Sequence, residues 1–235
     1  WRFHRVGHPS AVPIGWAEPG FSDNNWKEMV VPSLWTMDSE SPDKPIYTNV
    51  QMPFRTEPPL TPELNPTGLY RRDIEIPDAW QDKRIVLNIG GIENCFYLYC
   101  NGQEVGFSKD CRLPSEFDLT EFVHAGSNHI AIQVMRWSET SYIEDQDQWW
   151  HAGIHRDIYL YSTDPVHIGD VFAKPEYNVD SGTGALNVQV RIGAINRDAL
   201  NHKVEAYLLK PDGAKQTRKN LTATIDKSNY YRVVG

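Results

Sequence analysis

Apolar and polar residues alternate along much of the first two thirds of the chain, and the alternation has the period of strands. Residues 68–76 alternate, residues 83–89 place Ile85, Leu87 and Ile89 on one face, and residues 94–100 set Phe96 and Leu98 opposite Tyr97 and Tyr99. Asn101-Gly102 then predicts a tight hairpin, with residues 103–107 as the return strand. Residues 113–122 read as a loop followed by a short helical turn, and Gly126-Ser-Asn as a turn. Residues 129–137 predict a strand with Ile130, Ile132 and Val134 facing inward, and residues 154–161 predict the strand that closes the sheet. Such strands, each with one apolar face, predict a β-sandwich of jelly-roll type.

The segments between these strands differ in kind. Before them, Phe21-Ser-Asp-Asn-Asn-Trp26 and Val31-Pro-Ser-Leu-Trp35 mix turn formers with large apolar residues, which predicts an irregular stretch pinned to a sheet by Trp26 and Trp35. Residues 41–67 hold Pro42, Pro45, Pro53, Pro58, Pro59, Pro62 and Pro66, so they cannot be a helix or a central strand. They predict a long ordered surface loop, and it contains Pro45-Ile-Tyr-Thr-Asn-Val50. Asn49 there can donate and accept, which suits a sugar hydroxyl, or it can close an Asx turn.

After Ser162-Thr-Asp-Pro165 the pattern changes. Strand-like runs at residues 167–175, 185–195, 202–210 and 221–226 are separated by Ser181-Gly-Thr-Gly184 and Pro211-Asp-Gly213. They predict a second, immunoglobulin-like β-sandwich over residues 164–235, following a jelly-roll domain over residues 1–163. About five strands are visible where that sandwich uses about seven, so the second domain is expected to be incomplete. Asn220-Leu-Thr222 fits a glycosylation sequon, a pattern short enough to arise by chance.

Composition narrows the picture. The 235 residues are 40% hydrophobic and 23% charged, with 16 Gly and 16 Pro, as expected of a globular all-β chain. A net charge of −8 without a Lys/Arg cluster argues against a nucleic-acid surface, and no apolar run approaches the roughly 18 residues of a membrane span. The three cysteines, Cys95, Cys100 and Cys111, form no CxxC, and Cys95 and Cys100 read as small core residues. The eight histidines show no metal spacing. The chain opens on Trp1 with no signal-peptide pattern, which leaves the compartment open.

The most informative chemistry is Glu144-Asp-Gln-Asp-Gln-Trp-Trp150, three carboxylates (Glu144, Asp145, Asp147) followed at once by Trp149 and Trp150. Crowded like charges repel and do not help a fold. Sugar recognition uses both features: carboxylates accept strong hydrogen bonds from hydroxyls, and an indole face covers the apolar face of a pyranose. An acidic loop with two core tryptophans is the competing reading. One of the two indoles is expected in the core and one along the loop.

Taken together, these motifs resemble the N-terminal portion of glycoside hydrolase family 2 enzymes, the β-galactosidases in particular. The resemblance rests on the two tryptophan-bearing runs already quoted, Ile46-Tyr-Thr-Asn-Val50, Asn65-Pro-Thr-Gly-Leu-Tyr70, Cys100-Asn-Gly-Gln-Glu-Val-Gly106, Arg112-Leu-Pro-Ser-Glu-Phe-Asp-Leu-Thr120, Arg136-Trp-Ser138, and Glu144-Asp-Gln-Asp-Gln-Trp149 with Gly153-Ile-His-Arg-Asp157. They run in family order across the first domain; the second domain matches in pattern only. Gly153-Ile-His-Arg156 is also similar to β-glucuronidases of the same family.

The resemblance implies a sugar-binding domain and an immunoglobulin-like domain that precede a TIM barrel. It implies that Asn49 and Asp147 are substrate-binding residues reaching toward the barrel, and that Asp147 supplies part of a sodium site whose other ligands lie elsewhere. It places both catalytic glutamates beyond residue 235, so no catalytic residue is assigned within the chain. It further implies magnesium in the full-length enzyme, a β-galactoside substrate, the enzyme's own barrel and later domains as partners, and a homo-oligomer. The alternatives are another family 2 glycosidase such as a β-glucuronidase, and a free-standing carbohydrate-binding module.

Overall fold

The computed structural model describes residues 1–48, 51–144, 147–194, 202–215 and the backbone of 221–224. Two units separate: residues 1–81 with 85–162, and residues 82–84 with 163–235. Described residues form strands and short 3-10 turns, with no α-helix among them.

In the first unit the strands are β1 (Arg2–Val6), β2 (Lys27–Glu28), β3 (Ser33–Leu34), β4 (Ile46–Tyr47), β5 (Thr67–Ile76), β6 (Arg84–Ile89), β7 (Ile92–Glu93) and β8 (Cys95–Cys100). They continue with β9 (Gln103–Ser108), β10 (Ser115–Asp118), β11 (Gly126–Met135), β12 (Trp149–Trp150), β13 (Gly153–Ile154) and β14 (Ile158–Thr163). A large sheet has the order β2-β1-β5-β11-β8-β9, and two smaller sheets run β10-β6-β14 and β3-β13-β7. At the centre of the large sheet β11 runs antiparallel to both β5 and β8, with Ile132 opposite Tyr70 on one side and Leu98 on the other.

The period-two alternation sorts each central strand between two environments. Phe3, Tyr70, Ile130, Ile132, Val134, Phe96 and Leu98 project from the large sheet into the main core, where they meet Leu87, Ile89 and Ile154. Leu69 and Ala131 point the other way and are covered by Trp16, Phe21 and Trp26 from the irregular N-terminal segment. Trp26 stacks on His4, and Trp35 is 1% exposed against Phe3 and Tyr70, so both expected anchors are in place. Gly68 makes room for Trp35, because a Cβ there would lie 2.6 Å from the indole.

The expected hairpin is present, with Asn101 and Gly102 both at positive φ (50° and 83°), the pairing a type I′ turn needs. Two expectations are corrected. Residues 113–122 are not loop then helix: Ser115–Asp118 forms β10, because its backbone pairs with residues 86–89 of β6, and only Leu119–Val123 makes a turn. Gly126-Ser-Asn is not a turn but the start of β11, whose ladder to β5 already includes Gly126 opposite Ile76.

The second unit holds β15 (Val166–Asn178) and β16 (Thr183–Ala194), a long antiparallel hairpin with a bulge near Gly169, and β17 (Lys203–Ala206) paired with β18 (Leu221–Thr224). Ile192 and Ala194 are buried with Val166, Val190 and Val204 around them. The fold class is the expected one, a jelly-roll sandwich followed by an immunoglobulin-like sandwich. Asn220 of the sequon lies outside the described residues.

Candidate functional site

The acidic–aromatic stretch divides into an anchored end and an open end. At the anchored end Ser138 caps a 3-10 turn, Glu139–Tyr142, with a reciprocal capping box to Ser141. Glu144 follows and is tied into the fold by three hydrogen bonds. Its Oε1 accepts from the Cys111 amide (3.2 Å), and its Oε2 accepts from the Cys111 thiol (2.7 Å) and from Asn94 Nδ2 (3.3 Å). Asn94 is itself buried and accepts from Ser138 and Thr140. Burial and the Glu144 carboxylate both push the Cys111 thiol up, so it stays protonated and donates. Glu144 is therefore a brace between the loop and the regions beneath it, with three donors from this chain on its carboxylate.

At the open end the loop returns as β12, which pairs with β4 of the proline-rich segment: Trp149 opposite Tyr47 and Trp150 opposite Ile46. Alternation again separates the two indoles. Trp150 is 6% exposed, packs on Trp137 at 5.6 Å and donates from Nε1 to Thr48 Oγ1 at 3.1 Å. Trp149 is 54% exposed, with its ring 5.5 Å from that of Tyr47. One indole is in the core and one along the loop, as expected.

Asp147 lies in a bend two residues before Trp149, and its side chain is exposed. Among the described residues one hydrogen bond reaches it, donated by Tyr47 Oη to Oδ1 at 2.5 Å. That bond holds the Tyr47 phenol above its ordinary range, so Tyr47 is a neutral donor. The structure thus brings together Asp147, Tyr47 and Trp149. Asn49 and Asp145 lie outside the described residues.

The proline-rich segment is locked to the strand that leads into the loop. Arg136 is buried, lies 4.9 Å over the Trp137 ring and donates to the Lys44 carbonyl at 2.9 Å. Asp43 sits 4.0 Å from Arg136, pairs with Arg5 at 3.3 Å and accepts from Trp35 Nε1 at 3.0 Å. Asn65 makes a two-way clasp with the Trp137 backbone, both bonds at 2.9 Å, and Tyr142 Oη donates to the Thr56 and Leu60 carbonyls. Behind the loop, buried Glu93 accepts from the His151 amide (3.4 Å) and faces Arg112 (3.6 Å). Burial lowers the affinity of His151 and His155 for a proton.

Sequence reasoning did not single out Tyr47, Asp43, Arg136 or Glu93. Tyr47 and Arg136 carried a signal, as members of the Ile46-Tyr-Thr-Asn and Arg136-Trp-Ser138 runs. For the others the partners are distant in sequence, and only the fold pairs them.

The family described as glycosyl hydrolases family 2, sugar binding domain, matches residues 1–164. The chain belongs to glycosyl hydrolase family 2. Among similar proteins, a β-galactosidase of Psychromonas ingrahamii is 42% identical over 192 residues, which is 82% of this chain and 18% of that protein. A β-galactosidase of Vibrio cholerae is 40% identical over 213 residues, 91% of this chain and 20% of that protein. The chain spans about a fifth of the length of these curated relatives.

Solved glycosidase structures share its fold. A β-glycosidase from Bacteroides vulgatus aligns with a TM-score of 0.69 at 20% identity, covering 95% of this chain and 27% of that one. β-Glucuronidase 2 of Bacteroides uniformis aligns with a TM-score of 0.70 at 20% identity, covering 95% of this chain and 25% of that one.

Proposed function

We propose that this chain is the N-terminal part of a retaining β-galactosidase, and that it supplies substrate-orienting residues and bracing to a TIM barrel outside it. The observation that carries this reading is the identity of about 40% to β-galactosidases along four fifths or more of the chain. The likeness to β-glucuronidases is one of fold at about 20% identity and carries no argument about substrate.

In this reading the chemistry belongs to two glutamates beyond residue 235. Retention uses a carboxyl pair about 5–5.5 Å apart, one as nucleophile and one as acid/base. The residues of this chain bind and orient. Asp147 accepts a hydrogen bond from a sugar hydroxyl through the oxygen that Tyr47 leaves unused. Trp149 offers an apolar face beside it, and Asn49 can both donate and accept. Contacts that tighten as the ring distorts raise the rate, whereas uniform contacts lower only KM.

Asp147 also fits one ligand position of a sodium site: it is an exposed, hard oxygen donor. Asp147 alone does not make a sodium site; in this reading its other ligands lie on the barrel. A bound sodium ion would polarise and orient an exocyclic hydroxyl, and Asp147 would hold one side of it. Magnesium, in this reading, belongs to the full-length enzyme and has no ligand assigned within this chain. The full-length protein is further proposed to be a homo-oligomer, which its mass in solution would check.

The test uses the full-length protein with chromogenic β-galactosides and β-glucuronides. Turnover of the galactoside with strong preference over the glucuronide is expected; the reverse preference would establish the alternative. The purified 235-residue chain is expected to turn over neither. Calorimetry of that chain with galactose and lactose separates a third reading, because measurable binding would identify a free-standing carbohydrate-binding module.

A further inference from the structure

We propose that Tyr47 is a positioning residue for the sugar, acting through Asp147; the inference rests on the reading of Asp147 as a sugar-binding carboxylate. Tyr47 sits on a two-residue strand whose neighbours are tied down. Ile46 and Tyr47 pair with Trp150 and Trp149, and Thr48 accepts from the Trp150 indole. Its phenol ring packs against Trp149, and its hydroxyl reaches Asp147 Oδ1 at 2.5 Å.

A stabilising role does not explain this arrangement. Tyr47 is 49% exposed, Trp149 is 54% exposed and Asp147 is exposed. Water competes for a hydrogen bond in such a place, so the bond adds little to the fold. Its effect is on orientation. Asp147 stands on a bend, where its carboxylate would otherwise sample several rotamers. The Tyr47 hydroxyl selects one rotamer and occupies one oxygen, which leaves Oδ2 as the acceptor for an incoming hydroxyl. Ordering that carboxylate before the sugar arrives removes a cost of binding and fixes the reacting geometry. The same ring holds the side of Trp149, so one tyrosine orders both the polar and the apolar partner of the sugar.

The test is a double-mutant cycle in the full-length enzyme with Tyr47→Phe and Asp147→Asn. Phenylalanine keeps the ring and its packing on Trp149 and removes only the hydroxyl. Tyr47→Phe is expected to lower kcat/KM about 3- to 10-fold with the melting temperature unchanged. In the Asp147→Asn background the same change is expected to cost less than about 2-fold, because the group it acts through is already altered. A costly Asp147→Asn combined with a silent Tyr47→Phe, or with equal losses from Tyr47→Phe in both backgrounds, overturns the positioning role alone. A silent Asp147→Asn overturns the reading of the site together with the role of Tyr47.

Discussion

Glu144 and Asp147 are three residues apart in one acidic loop, and the fold treats them in opposite ways. Glu144 accepts from the Cys111 amide, the Cys111 thiol and Asn94. Asp147 is exposed, and Tyr47 is its one hydrogen-bond partner among the described residues. The neighbouring tryptophans repeat the contrast, Trp150 buried and bonded to Thr48, Trp149 open to solvent. A polar group whose partners are all internal holds the loop in place; one with an unused lone pair at the surface is available to a ligand. Residue type does not separate these roles, but the number of internal partners does.

The largest effect that can break this comparison is on the two indoles. Trp150→Ala is expected to cost about 3–5 kcal/mol in a urea unfolding experiment, the range for truncating a buried aromatic side chain. Trp149→Ala is expected to stay within about 0.5–1 kcal/mol of the parent, as surface changes do. Similar losses from both would mean that Trp149 is core and offers no face to a sugar.

Next in size is the brace. Glu144→Ala removes the acceptor of three donors around buried Asn94 and Cys111, and is expected to lower stability by about 1.5–3 kcal/mol. Asp147→Ala, at the open end of the same loop, is expected to change stability by no more than about 0.5 kcal/mol. Equal losses from the two variants would erase the distinction between anchored and open ends.

The smallest effect concerns pH. Burial keeps His151 and His155 neutral in the folded protein below the pH at which a free imidazole, with its ordinary value of 6.5, takes up a proton. Because the folded-state affinity is depressed, the stabilisation is complete above about pH 6.5 and is lost as the unfolded chain gains protons at lower pH. The urea midpoint is therefore expected to fall between pH 7 and pH 5. His151→Gln and His155→Gln should each flatten that fall, modestly, since both side chains keep some contact with solvent. A steeper fall in either variant would reverse the assignment.

Much of this molecule could be read from alternation alone. Ile130, Ile132 and Val134 face the core, and Ala131 between them lies under Trp16 and Trp26. The Asn101-Gly102 turn was also readable, because few residues adopt two successive positive φ angles. The strand Ser115–Asp118 was not, since it has a single apolar residue, follows a proline and exists through its ladder to β6. The pairing of β4 with β12 escaped for the same reason: four residues about 100 positions apart carry no local period. In the site, the motif pointed to Asp147 but ranked Glu144 and Asp145 beside it. Only the positions of Cys111 and Asn94, distant in sequence, mark Glu144 as structural.

The most direct measurement is steady-state kinetics of Asp147→Asn in the full-length enzyme, with thermal unfolding recorded on the same preparation. A fall in kcat/KM for a β-galactoside of about 10- to 100-fold, the loss of a hydrogen bond to a charged group, is expected at unchanged melting temperature. Unchanged kinetics, or a loss of activity that merely follows a loss of stability, would contradict the claim that the open end of the loop is where the sugar is held.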